Sequence, residues 1–551
     1  MSESYSPTAN TRRRSLDDPP EQADVIIVGL GSAGLVAGAF LAKQGFKVVG
    51  FDSHYVAGGC ATQFARGRKD ERYHFDIGLH YIGDCETGWI PVLLDSLGIE
   101  QEFVSMDQDG FDTFHFPDFS FRVPVDRDLY RQRLLDLFPE EKKGIDRYMS
   151  FLNQVDEVSA RLDRSAGKMT MGTVWNIVTK GRLLPKYQGK TIQEFLNSCT
   201  SNIKLQAIFL GQNGDYGLPP NDVSALLHCG LAVHYFRGAY YPKGGGQIMS
   251  DKIADKIEEL GGSLHLRRGI ESILVEDGKA VGVRTEARKG EHVEVRAPVI
   301  LSGADYKKTL LELVGVEHLP SEMVTRTKEF KMAEALFITC LGIEGVENVK
   351  DMGATNHWQF DHYDFNKLYK DVREQAEPMP SGAYITSATM KDPNTPHHAP
   401  EGIANVEVMA LLSGRPELWG TTADAIKSWS YHKEEEYERR KKAVEDNLIE
   451  RLHRQFPATR GKIVFRESAT PITHARYTRS TDGSSYGIAA TPDQFQAARP
   501  GYRSPIGGLY FCGVSTRAGH GILGAMMSGY LAARSISKDL GRPIERLQPH
   551  S

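Results

Sequence analysis

Apolar runs and helical periodicity alternate in the first hundred residues. Residues 25–28 are continuously apolar, which is typical of a strand buried on both faces of a sheet. A helical pattern of apolar residues follows, and a second apolar run occupies residues 47–51. This order predicts a strand–helix–strand unit whose two strands lie parallel in one sheet.

Similar patterns predict the elements of the remaining chain. Apolar residues alternate over residues 119–125, as in a half-buried strand, and residues 128–235 are mostly helical in pattern. The apolar stretch 223–236 contains two histidines and predicts a buried core helix. Further predicted helices cover 248–260 and the charged stretch 433–456. Further predicted strands cover 263–266, 270–275, 280–284, 297–302, 336–343, 383–388 and 404–411.

The first strand runs directly into a glycine motif. Gly29 allows a tight turn, Gly31 lets a pyrophosphate approach the backbone, and Gly34 lets the helix pack against the strand. The helix then begins with Ser32 and Ala33, whose N–H groups are free to bind phosphate. Asp52 ends the second strand, at the position of an acid that binds a ribose hydroxyl. The motif and its surroundings predict a dinucleotide site.

A second glycine-lined helix start lies near the other end of the chain. A short apolar run ends at Gly513, and a helix of small residues begins near Gly521, Ile522 and Leu523. The partial positive charge of such a helix end stabilises negative charge that develops on a reduced flavin ring. Together with the first motif, this block favours a flavin dinucleotide over a simple helix cap.

Composition excludes several classes of function. The 551 residues carry a net charge of −5 and contain no basic tract interleaved with aromatic residues, so nucleic-acid binding is not predicted. The six cysteines form no CxxC pair, which indicates neither a zinc site nor a disulfide framework, and no metal site is predicted. No apolar window reaches 18 residues, so no transmembrane helix is predicted. The polar residues 1–22 predict a disordered tail and not a signal peptide.

Several segments together resemble a known flavoprotein family. They are residues 58–64, 75–83, 215–220, 238–245 and 513–521. The chain resembles the FAD-dependent amine-oxidase-like superfamily in its carotenoid desaturase and isomerase branch, and within that branch the retinol-saturase-like group. Residues 513–521 are closer to the bacterial carotene desaturases.

The resemblance implies an α/β fold. It has a Rossmann-like FAD-binding domain built from three segments (GR2-type) and an inserted α+β substrate-binding domain. The implied FAD segments are residues 23–100, 238–310 and 501–551. The implied substrate segments are residues 101–237, with a helical lipid-facing part, and residues 311–500.

The resemblance also implies roles for individual residues. Gly29, Gly31 and Gly34 would face the pyrophosphate, and Asp52 the adenosine ribose. Gly58 and Gly59 would lie along the dinucleotide, and the backbone of Ile270 would contact the adenine. The ribityl chain and the flavin ring would be lined by Gly513, Gly521, Ile522 and Leu523. Val514 departs from the family pattern, which has an acid or a small polar residue at that position.

Flavin chemistry on an apolar polyene also needs a proton donor or acceptor. Saturation adds a proton and a hydride to a double bond, and desaturation removes both. The candidates for this acid/base group are His80, His234, Tyr241, His474 and His520. His520 lies between two glycines at the presumed flavin edge and is the first choice, and His234 is the second.

The approach of an apolar substrate suggests a lipid surface. Residues 168–186 combine methionine, tryptophan and leucine with basic residues and contain no acid, a composition that suits peripheral docking on a membrane. An amphipathic helix packed on the domain explains the same pattern equally well. The predicted location is a peripheral membrane association on the cytoplasmic side.

Two other functions fit the same sequence features. The first is a redox-neutral cis–trans isomerase of carotenoids that uses reduced FAD. The second is a non-catalytic carrier of prenyl lipids of the escort type, which the intact glycine motif disfavours. Amine oxidation is weaker, because no aromatic cage for an amine is evident. No second glycine motif supports a bound nicotinamide cofactor. The sequence does not distinguish among a quinone, oxygen, a transient reductant and no electron partner at all.

Overall fold

The structure is a computed structural model that describes Arg14, residues 17–68, 71–164, Trp175 and residues 182–548. Its strands are β1 Val25–Val28, β2 Val48–Phe51, β3 Gln63–Arg68, β4 Glu71–Asp76, β5 Ile82–Gly83, β6 Phe103–Ser105, β7 Asp112–His115, β8 Ser120–Val123, β9 Ala239–Pro242, β10 Ser263–His265, β11 Ile270–Glu276, β12 Lys279–Thr285, β13 Glu294–Arg296, β14 Val299–Ser302, β15 Ala335–Glu344, β16 Asn356–Phe360, β17 Gly382–Thr386, β18 Ile403–Leu412, β19 Ile463–Ala469 and β20 Leu509–Phe511.

Helices lie between and around these strands. In chain order the α-helices are α1 Ser32–Lys43, α2 Trp89–Ser96, α3 Arg127–Leu137, α4 Lys142–Arg164, α5 Leu183–Tyr187, α6 Ile192–Asn197, α7 Ile203–Phe209, α8 Ala225–Tyr235, α9 Gln247–Glu259, α10 Tyr306–Lys308, α11 Ser321–Glu329, α12 Phe365–Glu374, α13 Ala388–Lys391, α14 Ala423–Lys427, α15 Glu435–Gln455, α16 Pro471–Thr478 and α17 Gly521–Asp539. The predicted core helix corresponds to α8, and the predicted charged helix corresponds to α15.

A five-stranded parallel sheet carries the glycine motif. Its strand order is β10-β2-β1-β14-β20, with β1 at the centre between β2 and β14. Val25 and Ile27 of β1 pack into the core on one face, whereas Ile26 and Val28 pack into the core on the other. The continuous apolar run in the sequence therefore reflects burial on both faces.

A seven-stranded mixed sheet forms the second layer of the fold. Its order is β19-β15-β18-β17-β16-β7-β8, and its pairs are antiparallel except for β16 with β7. Phe337 and Leu341 of β15 face a core shared with α15, while Ile338 and Cys340 face the core that includes the helices α4 to α8. The long strands β15 and β18 are thus covered on both faces.

The two sheets draw their strands from different parts of the chain. The parallel sheet takes strands from residues 23–100, 238–310 and 501–551, and the mixed sheet takes strands from 101–237 and 311–500. The domain boundaries themselves stay predictions. The hairpin of β3 and β4 and the strands β16 and β19 were not predicted, because their polar residues obscure the alternation of apolar positions.

Part of the predicted tail contacts the folded chain. Arg14 is buried and pairs with Asp255 at 2.6 Å and Glu258 at 3.0 Å, and Asp18 accepts a hydrogen bond from Arg268 at 2.7 Å. The prediction of disorder over residues 1–22 is therefore wrong for Arg14 and Asp18. Residues 1–13, 15 and 16 lie outside the described residues.

The predicted lipid-facing segment also lies mostly outside the described residues. Of residues 168–186, the structure describes Trp175, which is 71% exposed, and residues 182–186. Among the described helices, none is both long enough and apolar enough to cross a membrane.

Candidate active site

The turn between β1 and α1 brings backbone to the edge of the sheet. Gly29 has φ +93, and a Cβ there would lie 2.9 Å from the nitrogen of Ala304, so only glycine fits the turn. Gly31 precedes α1 in an extended conformation, and no side chain of the described residues caps the helix. The first N–H groups of α1 are therefore free for an anionic ligand.

The start of α17 repeats this arrangement at the end of β20, which is separated from β1 by β14. Gly513 follows β20 with φ +99, and its N–H donates to Ser528 Oγ at 2.7 Å. His520 precedes α17, and in the described chain no side chain caps this helix either. At Gly521, with φ +59, an added Cβ would meet nothing within 4 Å, so the helix end is open.

Packing between α1 and α17 brings the two helix starts together. A Cβ on Gly529 of α17 would lie 2.1 Å from the carbonyl oxygen of Ala33. The axes approach this closely only because small residues meet at the contact. Two motifs from opposite ends of the chain thus open onto the same side of the parallel sheet.

One cavity of about 2010 Å³ adjoins both helix starts. Drug-sized ligands occupy pockets of roughly 300–1,000 Å³, so this cavity has room for a dinucleotide and a second molecule. Its wall includes most of the predicted site residues, namely Gly29, Gly31, Ser32, Ala33, Asp52, Gly58, Gly59, Ile270, Gly513, Gly521, Ile522, Leu523, His234 and His520. Of the other histidine candidates, His80 and His474 also line it.

Two predicted residues lie behind the wall. A Cβ on Gly34 would be 2.1 Å from the oxygen of Gly29, so this glycine serves the packing of α1 on β1 and does not line the cavity. The Tyr241 hydroxyl donates to buried Asp76. The predicted contact between Gly34 and a pyrophosphate stays a prediction.

Asp52 is held rigidly at the end of β2. Its Oδ2 accepts the N–H of Leu30 at 2.8 Å, and its Oδ1 accepts the N–H of His54 at 2.8 Å. Each carboxylate oxygen can accept a further hydrogen bond. The side chain can therefore bind a hydroxyl group in the cavity while it orders the turn beside the glycine motif.

The two histidines predicted as acid/base groups are uncharged at neutral pH. Burial lowers the pKa of His520 to about 3, with a further contribution from Arg499, and burial lowers the pKa of His234 to about 4. His234 Nε2 accepts the N–H of Gly83 at 2.9 Å. Neither ring holds the second proton that a histidine acid would donate at neutral pH.

His520 nevertheless presents a free nitrogen. Its Nε2–H donates to the carbonyl of Asp215 at 3.3 Å, and its ring stacks on Tyr486 with centroids 5.6 Å apart. Because the ring is neutral, Nδ1 is a lone-pair acceptor, and within the described part of the chain it has no partner. A buried polar atom of this kind favours a ligand at that point.

His80 lines the cavity and contacts two buried carboxyl groups behind the cavity wall. Ligand atoms of Asp76, His80 and Glu407 lie within 4.8 Å of one another. These atoms are already hydrogen-bonded within the protein. Glu407 accepts from His80 Nδ1 at 3.1 Å and from the N–H of Asp76 at 2.7 Å. Asp76 accepts from the N–H of Gly246 at 2.8 Å. The cluster orients His80, whose Nε2 has no partner among the described residues.

Away from the glycine motifs the cavity wall becomes apolar. This part comes from α8, α12 and the mixed sheet, with the side chains Leu226, Leu227, Leu231, Leu336, Ile338, Trp358, Phe360, Phe365, Leu368 and Met409. Such a surface binds a hydrocarbon by removing it from water, at about 25 cal/mol per Å² of buried apolar area.

Sequence reasoning missed a group of polar residues in this region. Tyr81 donates to Asp215 at 2.6 Å, and its hydroxyl also lies 3.4 Å from Asp112 Oδ2. Asp215 lies within a segment that supported the family resemblance, but nothing local marks it as an acid/base group. Asp112 lies in β7, and the pattern of apolar residues in this strand does not indicate that a carboxylate there is functional.

The donor set suits a dinucleotide with a planar ring at one end. Two uncapped helix starts supply N–H groups, Gly31 and Gly59 approach each other with no side chain between them, and Asp52 offers acceptors for a sugar hydroxyl. At the other end lie Gly521, His520 with its free Nδ1, and the apolar wall. These residues fit a flavin nucleotide.

Family models match both glycine-lined regions. The NAD(P)-binding Rossmann-like domain matches residues 27–97, and the flavin containing amine oxidoreductase family matches residues 427–537. Solved structures share the fold: putrescine oxidase bound to putrescine has a TM-score of 0.58 at 15% identity, covering 95% of this chain and 100% of that one. An oxidoreductase from Methanosarcina mazei has a TM-score of 0.57 at 16% identity over 92% of this chain and 99% of that one.

Curated relatives align along nearly the entire chain. The all-trans-retinol 13,14-reductase of Danio rerio is 27% identical over 90% of this chain and 82% of its own length. Prolycopene isomerase 1 of an Oncidium hybrid cultivar is 25% identical over 96% of this chain and 86% of its own length. The predicted fold class and the predicted family resemblance are confirmed. The chain is similar over most of its length to retinol 13,14-reductases and prolycopene isomerases, and its residues 427–537 match the flavin containing amine oxidoreductase family.

Proposed function

We propose that this chain binds FAD and acts on a carbon–carbon bond of an apolar polyene, by reduction or desaturation. The observation that carries the proposal is the single cavity that runs from two uncapped, glycine-lined helix starts to a hydrocarbon-lined wall. The first part suits a flavin dinucleotide, and the second suits a substrate without polar groups. A cavity of about 2010 Å³ accommodates both at once.

In this proposal the chain's own groups position the reactants. The N–H groups of Ser32 and Ala33 bind the pyrophosphate, and Asp52 binds the adenosine ribose. Ile270 contacts the adenine through its backbone. The start of α17 at Gly521 faces the ring, where the helix dipole stabilises negative charge. When bound, the flavin supplies hydride transfer, and the apolar wall excludes water from the reacting carbons.

The relatives favour a polyene among apolar substrates. The names of two groups of relatives refer to retinol and to prolycopene, both conjugated polyenes. The similarity to prolycopene isomerase also makes redox-neutral cis–trans isomerisation with reduced FAD the second candidate. The two functions differ in one measurable respect, because an isomerase leaves the mass of its substrate unchanged.

An anaerobic experiment tests the proposal. The purified yellow protein is denatured, and chromatography of the released flavin is expected to give FAD. The intact protein is then mixed with retinol, phytoene or poly-cis-lycopene, in one set of samples after photoreduction and in another with its flavin oxidised. Flavin reoxidation with a product two hydrogens heavier indicates reduction, and bleaching of oxidised protein by phytoene indicates desaturation. An isomer of unchanged mass indicates the second candidate, and no conversion in any arm contradicts both.

The substitution His520→Ala tests the predicted role of this histidine. Because the ring is neutral and Nδ1 is free, we expect it to position a reactant rather than donate a proton. Turnover should fall about 100-fold, the cost of a small misplacement of reacting groups. Flavin content should stay unchanged, and the wild-type pH profile should show no step near the ordinary pKa of histidine.

The exposed residue His432, outside the cavity wall, offers the matched control. His432→Ala should retain wild-type turnover. Full turnover of His520→Ala with bound flavin would show that His520 does not position a reactant.

Peripheral membrane association is a separate part of the proposal, supported by the composition of residues 168–186. We expect the protein to float with liposomes that contain anionic lipids and to do so less at high salt, since basic residues supply part of the attraction. Deletion of 168–186 should abolish flotation and leave flavin content unchanged. Equal flotation of the deletion variant would exclude this segment as the docking element.

A further inference from the structure

A half-buried carboxyl, that of Asp215, lines the cavity between its two parts. The backbone carbonyl of Asp215 accepts from His520 Nε2 at 3.3 Å, which places this residue beside the start of α17. The preceding Gly214 packs against Trp358 of the apolar wall, where an added Cβ would lie 2.5 Å from Trp358 Cζ3. Asp215 therefore lies where the predicted flavin end meets the hydrocarbon end.

A single tyrosine hydroxyl connects this carboxyl to a second one. The Tyr81 hydroxyl lies 2.6 Å from Asp215 Oδ2 and 3.4 Å from Asp112 Oδ2. The Tyr81 ring stacks on Tyr235 with centroids 4.3 Å apart, at an interplanar angle of 3°. The stacked ring fixes the hydroxyl between the two carboxyls, so Tyr81 orients the carboxyl of Asp215.

The second carboxyl is held as an acceptor. Asp112 accepts from Gln212 Nε2 at 2.8 Å, Asn356 Nδ2 at 3.0 Å and Trp358 Nε1 at 3.2 Å. These three donors stabilise its charged form. Burial nevertheless raises the pKa of Asp112 to about 6, which leaves it mostly ionised at neutral pH.

The groups around Asp215 keep its proton in place. Burial, together with the charge of Asp112, raises the pKa of Asp215 to about 8, although hydrogen bonds from Tyr81 and Tyr235 act in the opposite direction. The other titratable groups that interact with it are Tyr216, Tyr384 and Tyr486, and His520 contacts its backbone. None of these described neighbours is a cation that would favour the carboxylate.

We propose that Asp215 donates the proton that completes saturation of the polyene, with Tyr81 and Asp112 as positioning residues that orient its carboxyl. The inference rests on the proposed function in its reductive direction. The O–H bond of Asp215 breaks and a C–H bond forms at one carbon of the double bond. The reduced flavin is the two-electron reductant, and its hydride forms the C–H bond at the other carbon. Asp215, left as a carboxylate, regains a proton from water that enters the cavity after the product leaves.

The first test measures the proton itself. In infrared difference spectra of the holoenzyme between pH 6 and pH 10, a protonated carboxyl band should disappear as the pH rises through about 8. The band should be absent from Asp215→Asn. It should persist in Asp222→Asn, because Asp222 lies in the same segment but outside the cavity wall and pairs with Arg373 at the surface. A carboxyl band that still titrates near pH 8 in Asp215→Asn would overturn the inference, whereas Asp112 titrates near pH 6.

The second test measures proton delivery. Photoreduced Asp215→Asn with its flavin bound should reduce the polyene about 100-fold more slowly than wild type, since general acids contribute at least this factor. Wild-type turnover should fall above pH 8, where the donor loses its proton. Asp112→Asn should move this alkaline limb down by about one pH unit, because it removes a nearby negative charge.

The outcomes separate this inference from the proposed function. Polyene reduction by wild type and equally fast reduction by Asp215→Asn would overturn the inference alone. No polyene conversion by wild type would overturn the proposed function, and the infrared titration would still decide whether Asp215 holds a proton at neutral pH. If Asp215→Asn fails to fold, the displaced alkaline limb of Asp112→Asn supports the inference, and an unmoved limb contradicts it.

Discussion

Gly31→Val should yield a folded but colourless protein. Gly31 has φ −69 and ψ 175, an extended conformation that valine adopts readily, and an added Cβ would meet only the Cα of Gly59 at 3.9 Å. The substitution therefore lowers the free energy of unfolding by about 1 kcal/mol, because valine is a less favourable N-cap residue than glycine at the start of α1. The valine methyl groups, however, occupy the place where a pyrophosphate approaches the backbone. We expect flavin affinity to fall at least 100-fold.

Flavin binding is measured as the ratio of flavin absorbance to protein absorbance after purification. The thermal unfolding midpoint of the flavin-free protein shows whether the variant is folded. Gly189→Val is the matched control, because Gly189 is exposed, meets nothing within 4 Å and lies outside the cavity wall. This control should purify with wild-type colour. A Gly31→Val protein with full flavin content and turnover would show that the dinucleotide does not bind at the start of α1.

Arg499→Met should destabilise the fold and loosen the second helix start. Arg499 is 1% exposed, and its guanidinium donates to the carbonyls of Gln494, Ile488, Val514 and Gly519. Two of these carbonyls belong to the loop between β20 and α17, so the side chain fixes this loop. Burial lowers the pKa of Arg499 to about 10, and the group remains charged at neutral pH.

Methionine fills much of the same volume but donates no hydrogen bond. Four buried carbonyls then lose their donor, and each unsatisfied group costs about 1–3 kcal/mol, partly relieved by rearrangement. We expect a loss of about 3–5 kcal/mol in the free energy of unfolding, within the range seen when buried charged groups lose their partners. The loss in the free energy of unfolding is measured from the midpoint of urea unfolding, with and without added FAD.

Arg503→Met provides the control for charge and size. Arg503 is 55% exposed and pairs with Asp539 at 2.7 Å on the surface. Exposed pairs contribute about 0–1 kcal/mol, so its unfolding midpoint should change little. If Arg499→Met unfolds at the same urea concentration as Arg503→Met, the loop before α17 does not depend on this guanidinium.

The dinucleotide end of the cavity was predictable because its signals are local. The turn at Gly29, the extended Gly31 and the acid Asp52 are each set by neighbours within one strand–helix–strand unit. Glycine at such positions follows from backbone geometry. The predicted packing of the helix on the strand at Gly34 agrees with the contacts of this glycine.

The acid/base end was not predictable in the same way. His520 and His234 were selected for residue type and proximity to glycine turns, yet their surroundings keep both rings neutral. Asp215 and Asp112 are distant in sequence and meet only across Tyr81. A pKa depends on burial and on neighbouring charge, and neither is a property of the local sequence.

The sequence by itself determined the parallel strands around β1, the glycine positions at both helix starts and the family of flavoproteins to which the chain is similar. These follow from periodicity and from backbone conformations that only certain residues allow. The tertiary structure alone decided how closely α1 and α17 pack, that one cavity joins both helix starts to an apolar wall, and that Asp112 and Asp215 meet across Tyr81. Each of these depends on contacts between residues far apart in the chain, whose packing and desolvation no local pattern encodes.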